Sequence, residues 1–238
     1  MELTRLSALN SLLGNGSYSR ALDIGCGSGD FTLGFARCLR LDQVFGVDVS
    51  EATVEEARSR GVVAVCVDLN KDNLPFADNT FDLVLMAEVI EHLENVEHTM
   101  DEVVRVVTPG GYLAITTPNL ASWHGRLSLL LGFQPFTLDV GLRRHYGSLL
   151  TISGRSAGHI RGFTLPALRE LLSSFGFRVI GISSAPGVAS GDSFVLDLLR
   201  TIDGAISRLP RLASGLVVAA RSTKHPSDGP RDFVGGAP

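Results

Sequence analysis

The chain has 238 residues, of which 45% are hydrophobic, and a formal charge of −4 at pH 7. This length and apolar content predict one α/β domain with a large core and exclude two full domains. The acidic balance and the lack of a long basic run argue against a long nucleic acid as partner, although Arg143 and Arg144 form a local basic pair.

The N-terminus and the cysteines predict a cytoplasmic protein. The first residues lack a secretion-signal pattern, and no apolar run approaches the roughly 20 residues that span a bilayer. The three cysteines do not have metal-binding spacing, and Cys26 and Cys66 lie in apolar, strand-like contexts. We therefore expect them to be small core residues in a reducing compartment.

Strand-like and helix-like stretches alternate through the first half of the chain. This alternation is typical of a parallel sheet with helices on both faces. The predicted strands lie at residues 20–25, 43–48, 62–67, 82–87 and 111–117, and the predicted helices at 29–40, 51–60 and 95–107. The last of these helices ends before Pro109, because proline cannot continue it and the glycines that follow permit a turn.

The alternation fails over residues 118–162, which we interpret as a cap inserted over the ligand edge of the sheet. Within the cap, residues 123–133 have the composition of a short apolar helix. The aromatic residues of the cap are expected either to line an apolar pocket or to pack the cap onto the sheet. They are Trp123, Phe133, Phe136 and Tyr146.

The alternation resumes after the cap. Thr164 is expected to cap a helix with Pro166 in its first turn and Gly176 at its end. A strand at 177–184, a helix at 192–207 and a strand at 216–221 are predicted to follow. Residues 1–222 then form a single domain, and residues 223–238, rich in proline, glycine and charge, form a disordered tail.

The most informative motif is residues 21–32, Ala-Leu-Asp-Ile-Gly-Cys-Gly-Ser-Gly-Asp-Phe-Thr. An apolar strand leads into Gly25, Gly27 and Gly29, which let the backbone turn sharply and approach a ligand without a Cβ in the way. Several nucleotide-binding folds have such a turn, so other residues must indicate which cofactor it holds.

Two acidic residues at predicted strand ends narrow the choice of cofactor. Asp48 ends the second strand about twenty residues after the glycines, where a carboxylate accepts hydrogen bonds from ribose hydroxyls. Asp68 ends the third strand and can accept a hydrogen bond from an adenine amino group. A dehydrogenase has less need of this second acidic residue. The glycine spacing also departs from the dinucleotide pattern GxGxxG, since Asp30 stands three residues after Gly27.

These motifs together resemble the class I S-adenosylmethionine-dependent methyltransferases. The residues that carry the resemblance are Asp23, Gly25, Gly27, Gly29, Asp48, Asp68-Leu69, Leu74-Pro75-Phe76, Phe81-Asp82-Leu83-Val84 and Pro109-Gly110-Gly111. The resemblance implies a doubly wound, mostly parallel, seven-stranded Rossmann-like sheet with an antiparallel seventh strand.

The resemblance also implies a role for each cofactor-binding residue. Asp23 and the backbone of the three glycines would hold the methionine part of S-adenosylmethionine. Asp48, with Val49 beside it, would hold the ribose. Asp68 and Leu69 would hold the adenine.

A second cluster follows the fourth predicted strand. Glu88, Glu91 and His92 are three and four residues apart, so on a helix their side chains share a face and can converge. Two carboxylates and an imidazole suit a divalent metal ion. Without a metal, Glu88 or His92 would act as a base beside the substrate, or the cluster would be structural.

The stretch Glu-Val-Ile-Glu-His with a downstream His159 resembles the metal-dependent 2′-O-methyltransferases of small-RNA 3′ ends and the ubiquinone-pathway O-methyltransferases. This resemblance implies that Glu88, Glu91, His92 and His159 are catalytic and hold a cation such as Mg²⁺, which would acidify a substrate hydroxyl. His98 and His124 receive no chemical role.

The function predicted from the sequence is O-methylation of a small or medium-sized molecule with an apolar body. A metal-dependent RNA 2′-O-methyltransferase is the alternative enzyme, and the lack of a basic stripe argues against it. A non-catalytic, cofactor-binding regulatory module is the alternative of another class.

Overall fold

The computed structural model describes residues 2–149, 156–187 and 201–225. The strands are β1 Ala21–Ile24, β2 Val44–Asp48, β3 Val63–Cys66, β4 Phe81–Ala87, β5 Val107–Pro118, β6 Phe177–Ala185 and β7 Gly215–Ser222. The helices are α1 Glu2–Leu13, α2 Asp30–Leu39, α3 Glu51–Ser59, α4 Val96–Val106, α5 Trp123–Leu130 and α6 Leu165–Ser174, with a 3₁₀ turn at Ile90–His92. Residues 201–206 are also helical.

The strands form one sheet in the order β3-β2-β1-β4-β5-β7-β6. Strands β1 to β5 run parallel to one another, and β7 runs antiparallel to both of its neighbours, β5 and β6. The predicted doubly wound, seven-stranded sheet is therefore confirmed. The chain moves outward from β1 to β3 and then returns to β4, so the strand order reverses between β1 and β4, where such sheets bind ligands.

The core lies on both faces of this sheet. Strand β4 shows why, because Leu83, Val84, Leu85 and Met86 are all fully buried. Val84 and Met86 pack in one apolar cluster, and Leu83 and Leu85 pack in the other. A central parallel strand covered on both faces has this continuous apolar run instead of an alternating one.

The predicted elements agree with the observed ones in most places, with a few differences. Helix α1 was not predicted. Thr164 caps α6 as expected, since its Oγ1 accepts a hydrogen bond from the Ala167 N–H at 3.3 Å. Of the predicted helix at 192–207, residues 192–200 lie outside the described residues, as do residues 226–238 of the predicted tail.

The prediction for Cys66 is wrong. Cys26 is buried, whereas Cys66 is exposed at the end of β3. The reason is that β3 lies at the edge of the sheet, with only β2 beside it. In the described residues, no helix is long and apolar enough to cross a membrane.

A part-buried network fixes the loop between β3 and β4. The Glu102 carboxylate on α4 accepts the Leu74 N–H at 2.6 Å and pairs with Arg105 Nη2 at 2.7 Å. Arg105 also donates to the carbonyls of Leu74 and Phe76. The helix therefore holds the backbone of the loop through two charged side chains.

We expect Glu102→Ala to lower the free energy of unfolding by about 2 to 4 kcal/mol, because it removes the acceptor of the Leu74 N–H and leaves Arg105 without its buried partner. Urea denaturation followed by circular dichroism measures this loss. The matched control is Glu97→Ala, at an exposed position of the same helix, where we expect a change of less than about 1 kcal/mol. Equal effects of the two substitutions would contradict the prediction.

Candidate active site

The glycine loop after β1 has the backbone geometry that only glycine adopts freely. The φ angles of Gly25, Gly27 and Gly29 are +76°, +50° and +85°. A Cβ on Gly25 would lie 2.3 Å from Cγ2 of Val89, whereas a Cβ on Gly27 would meet no atom within 4 Å. Gly25 thus packs tightly against the segment after β4, and Gly27 faces open space that a ligand can enter.

Asp48 lies at the carboxyl end of β2 and faces the same loop. Its Oδ2 accepts the Gly27 N–H at 2.9 Å, and its Oδ1 accepts the Ser50 N–H at 3.0 Å and the Thr53 hydroxyl at 3.2 Å. A carboxylate offers about four acceptor positions, so one remains for a ligand hydroxyl. The neighbouring Val49 is 67% exposed, an apolar side chain open to solvent beside this position.

Asp68 and Leu69 follow β3. Asp68 Oδ1 accepts the Asn70 N–H at 3.1 Å, and Oδ2 pairs with Lys71 Nζ at 2.8 Å. The Lys71 contact, with the Asn70 N–H, lowers the pKa of Asp68 below its usual range. The Leu69 side chain is buried in the apolar core and so anchors the segment after β3 to the core.

Asp23 lies in the middle of β1 and is buried. Its Oδ2 accepts the Thr32 hydroxyl at 2.6 Å, while its Oδ1 is buried without a hydrogen-bond partner. Burial raises the pKa of Asp23 to about 7. An unpartnered buried acceptor is costly, and a cationic donor such as the ammonium group of the methionine part of S-adenosylmethionine would satisfy it. The residues around the glycine loop therefore fit this cofactor.

Glu88 follows β4 and has a φ of +58°, which is unusual for a residue with a side chain. Its carboxylate accepts a hydrogen bond from the hydroxyl of Thr116 on β5, at 2.9 Å. It also pairs with Nη2 of Arg5 on α1, at 2.5 Å. These contacts hold Glu88 in a backbone conformation that is otherwise unfavourable. Such conformations are concentrated at functional sites.

The prediction that Glu88, Glu91 and His92 share a helix face is wrong. Only residues 90–92 are helical, as a 3₁₀ turn, and Glu88 precedes that turn in the left-handed region. Among the described residues, Glu91, His92 and His159 instead form a group whose potential ligand atoms lie within 4.8 Å of one another. Glu88 is not a member of this group.

Glu91 and His159 face each other inside the protein. Glu91 Oε1 lies 4.0 Å from His159 Nε2 and has no hydrogen-bond partner, while Glu91 Oε2 accepts the Thr117 hydroxyl at 3.0 Å. The His92 and His159 rings are 5.0 Å apart, and His92 Nδ1 lies 3.0 Å from the Gly158 carbonyl oxygen. A carboxylate and two imidazoles within this distance form a donor set for a divalent cation.

Burial pushes both Glu91 and His159 toward their uncharged forms. It raises the pKa of Glu91 to about 8, and the charge of Glu88 adds to this effect. Burial also lowers the pKa of His159, and His92 adds to that effect. Near pH 7 the pair therefore consists of a protonated carboxyl group and a neutral imidazole, which can accept a proton.

A cavity of about 260 Å³ lies next to these residues. Its wall includes Arg5, Glu88, Pro118, His124, Phe136, Thr137, His145, Ala157, His159, Pro186, Gly187, Ser214 and Gly215. Of the four aromatic residues considered for a pocket, this wall includes only Phe136. Phe133 and Tyr146 are exposed.

No sequence pattern indicates that His124 lies in the wall of this cavity. His124 Nε2 lies 2.9 Å from the Ser214 hydroxyl, which donates to Asp203 Oδ1 at 2.5 Å. Trp123 Nε1 donates to the same carboxylate oxygen at 2.9 Å. Burial lowers the pKa of His124 to about 4, and its ring stacks on Phe136 with centroids 4.6 Å apart. His124 is thus a neutral, aromatic part of the cavity wall.

The fold and the site together are those of an α/β protein whose glycine loop, at the strand-reversal point, suits a nucleoside cofactor. A methyltransferase-domain family model matches residues 22–115. The demethylmenaquinone methyltransferase of Bacillus cereus is 35% identical over 166 residues, which cover 66% of this chain and 68% of that protein. The chain belongs to the class I S-adenosylmethionine-dependent methyltransferases.

Two further comparisons show the range of similar proteins. The ubiquinone biosynthesis O-methyltransferase of Rhizobium johnstonii is 36% identical over 104 residues, covering 42% of this chain and 41% of that protein. A solved structure from Thermotoga maritima, an S-adenosylmethionine-dependent methyltransferase and possible histamine N-methyltransferase, matches with a TM-score of 0.60 and 23% identity over 93% of this chain and 89% of that one. It shows the fold alone.

The chain spans 39%, 41% and 58% of the length of three other curated relatives. Family membership supports an S-adenosylmethionine-dependent enzyme. The methyl acceptor and the individual roles of the site residues remain predictions.

We expect Asp48→Ala to weaken the binding of S-adenosylhomocysteine by about 1 to 3 kcal/mol, because the ligand loses a charged acceptor and the Gly27 N–H loses its partner. Isothermal titration measures the affinity. Asp42→Ala, at an exposed position before β2, is the control and should leave it unchanged. Unchanged affinity in the Asp48 variant would remove that residue from the cofactor site.

The Glu91 pKa gives an expectation for stability against pH. A carboxyl whose pKa is higher in the folded protein stabilises the fold fully below its unfolded pKa, near 4.5, and this contribution is lost as the pH rises through about 8. We expect Glu91→Gln to remove that dependence, so that the variant gains at least about 1 kcal/mol over the wild type between pH 5 and pH 9. Urea denaturation at a series of pH values tests this, and parallel curves for both proteins would contradict it.

Proposed function

We propose that this methyltransferase transfers its methyl group to a hydroxyl oxygen of a small molecule with an aromatic or apolar body. The observation that carries the proposal is the cavity lined by Glu88 and His159, which is linked through Glu88 to the glycine loop. The link is the Gly25–Val89 contact, because Val89 immediately follows Glu88. An acceptor in the cavity would thus lie next to the position expected for the cofactor.

The cofactor site is proposed residue by residue. The Asp23 carboxylate and the Gly27 backbone would hold the methionine part of S-adenosylmethionine, Asp48 the ribose, and Asp68 with the backbone of Leu69 the adenine. Val49 would cover the nucleoside from solvent. When bound, the cofactor supplies an electrophilic sulfonium methyl group, so the protein has to orient the acceptor and remove its proton.

His159 is the proposed base. Its lowered pKa keeps the imidazole neutral near pH 7, and it lines the cavity that would hold the hydroxyl. In the proposed transfer the imidazole takes the hydroxyl proton as the acceptor oxygen receives the methyl group that bound S-adenosylmethionine would supply, with S-adenosylhomocysteine as the leaving group. Glu91 and His92 would orient the ring from behind.

The size and the wall of the cavity support a small acceptor. About 260 Å³ is just below the roughly 300 to 1,000 Å³ of pockets for drug-sized ligands. The stacked pair of His124 and Phe136 offers an aromatic surface to a flat ring. The relatives named for quinone biosynthesis include an O-methyltransferase and a C-methyltransferase, so their names support a small-molecule acceptor and leave the choice of oxygen to the site.

The second candidate is a metal-dependent 2′-O-methyltransferase of RNA. The group of Glu91, His92 and His159 favours it, since a bound cation would lower the pKa of a coordinated hydroxyl. The donor set with two imidazoles suits a metal such as Zn²⁺ or Mn²⁺ better than Mg²⁺. The small cavity and the acidic chain favour the first candidate.

The test is methyl transfer from labelled S-adenosylmethionine to simple phenols and catechols and to a short RNA, with and without a chelator. We expect O-methyl ethers of the phenols, a rate that the chelator leaves unchanged, and no labelled RNA. His159→Gln should lower kcat by about 10² to 10⁴ while the affinity for S-adenosylhomocysteine stays the same.

His98→Gln is the control, because His98 contacts the Asp72 carbonyl and does not line the cavity. Chelator-sensitive labelling of RNA would favour the second candidate. A product methylated on a ring carbon would contradict O-methylation, and full activity of the His159 variant would exclude His159 as the base.

A further inference from the structure

The outer surface of the insert exposes a run of apolar side chains. On α5 and in the turn after it, Leu127, Leu129 and Leu131 are exposed, and Leu130 is 82% exposed. Phe133 follows and is also exposed. A contiguous apolar patch of this kind on a protein surface indicates an interaction site.

A second exposed run lies beside the first. Val140, Leu142 and Tyr146 are exposed apolar or aromatic residues. The Gln134 N–H donates to the Gly147 carbonyl at 2.9 Å, and this bond brings the second run next to the first. We call residues 127–133 and 140–149 together the insert surface.

The insert surface and the residues around it carry positive charge. In the described part of the insert, residues 118–149 and 156–162, the arginines are Arg126, Arg143, Arg144 and Arg161. The acidic residue of the same part is Asp139, whose side chain has no exposed area and pairs with His145. Arg143 and Arg144 are exposed between the apolar residues. This concentration of positive charge contrasts with the chain as a whole, which has a charge of −4.

We propose that the insert surface docks on a lipid bilayer that carries anionic headgroups. Exposed leucines would enter the interfacial region, and the arginines beside them would contact phosphate groups. The leucines belong to a surface helix of 8 residues and the turn after it, so this surface would lie along the membrane interface.

The charges favour a membrane over a second copy of this chain or an RNA as the partner of the insert surface. A symmetric contact with a second copy would place Arg143 and Arg144 of both copies in one interface, and the described residues of the insert offer no exposed acid to pair with them. An RNA would use the arginines but would leave the leucines in water. An anionic bilayer satisfies both kinds of side chain.

The insert surface and the cavity belong to the same segment. Phe136, Thr137 and His145 line the cavity from within the insert, while the neighbouring leucines face outward. A docked protein would therefore present its cavity close to the lipid. The docking does not depend on which acceptor the enzyme uses.

Vesicle flotation tests the proposal with the full chain. We expect the protein to bind phosphatidylcholine vesicles that contain phosphatidylglycerol, to bind pure phosphatidylcholine much more weakly, and to lose affinity as salt is raised. Leu130→Glu alone and Arg143→Gln with Arg144→Gln should each weaken binding to the anionic vesicles about tenfold or more.

Matched substitutions elsewhere serve as controls. Leu3→Glu on α1 and Arg37→Gln with Arg178→Gln change equally exposed residues outside the insert and should leave vesicle binding unchanged. Thermal unfolding shows that each variant is folded.

Three results would overturn the proposal. The first is equal binding to both kinds of vesicle or to neither. The second is wild-type binding by the insert variants. The third is a Leu130-dependent dimer, or binding of single-stranded RNA, without binding of vesicles.

Discussion

The rest of the site depends on the close contact between Gly25 and Val89. It joins the loop after β1 to the segment after β4, the two neighbouring strands between which the strand order reverses. With a Cβ at residue 25 only 2.3 Å from the valine methyl group, any larger residue would push the two segments apart. The distance between the glycine loop and the residues that face the cavity is therefore set by close packing of the Gly25 backbone on the Val89 side chain, which holds nearby groups in place better than a mobile loop does.

Beyond that contact, burial determines the electrostatics of the cavity. Arg5 and Glu88 keep a charged pair at its wall, while burial favours the neutral forms of Glu91, His124 and His159. A neutral imidazole can accept a proton, and a site with few net charges is less costly to desolvate when an apolar acceptor enters. Because Glu91 Oε1 is buried without a hydrogen-bond partner, it destabilises the folded protein. Unsatisfied buried groups of this kind are found at functional sites.

The sequence predicts the features that depend on neighbouring residues and misses those that depend on residues far apart in the chain. The strand-turn-helix around Gly25 and the acids at Asp48 and Asp68 follow from local patterns, and the structure brings them to one edge of the sheet. The predicted helix through Glu88 failed because Glu88 adopts a positive φ, and side-chain contacts from α1 and β5 hold it there. No local pattern shows that Arg5 reaches Glu88, 83 residues away, or that His124 contacts Ser214. Those contacts arise only from the order of the strands.

The insert has an inner face of hydrogen-bonded polar and aromatic groups and an outer face of exposed apolar and basic side chains. Inward, its polar and aromatic groups are tied to one another, since Asp139 pairs with His145 and accepts the Gly158 and His159 N–H groups. Those bonds fix His159 against Glu91 and keep the Asp139 carboxylate on the inner side of the insert. The outer face is therefore free to be apolar and basic without disturbing the cavity. A change at Leu130 or Arg143 alters what the surface contacts, whereas a change at Asp139 would move the proposed base itself.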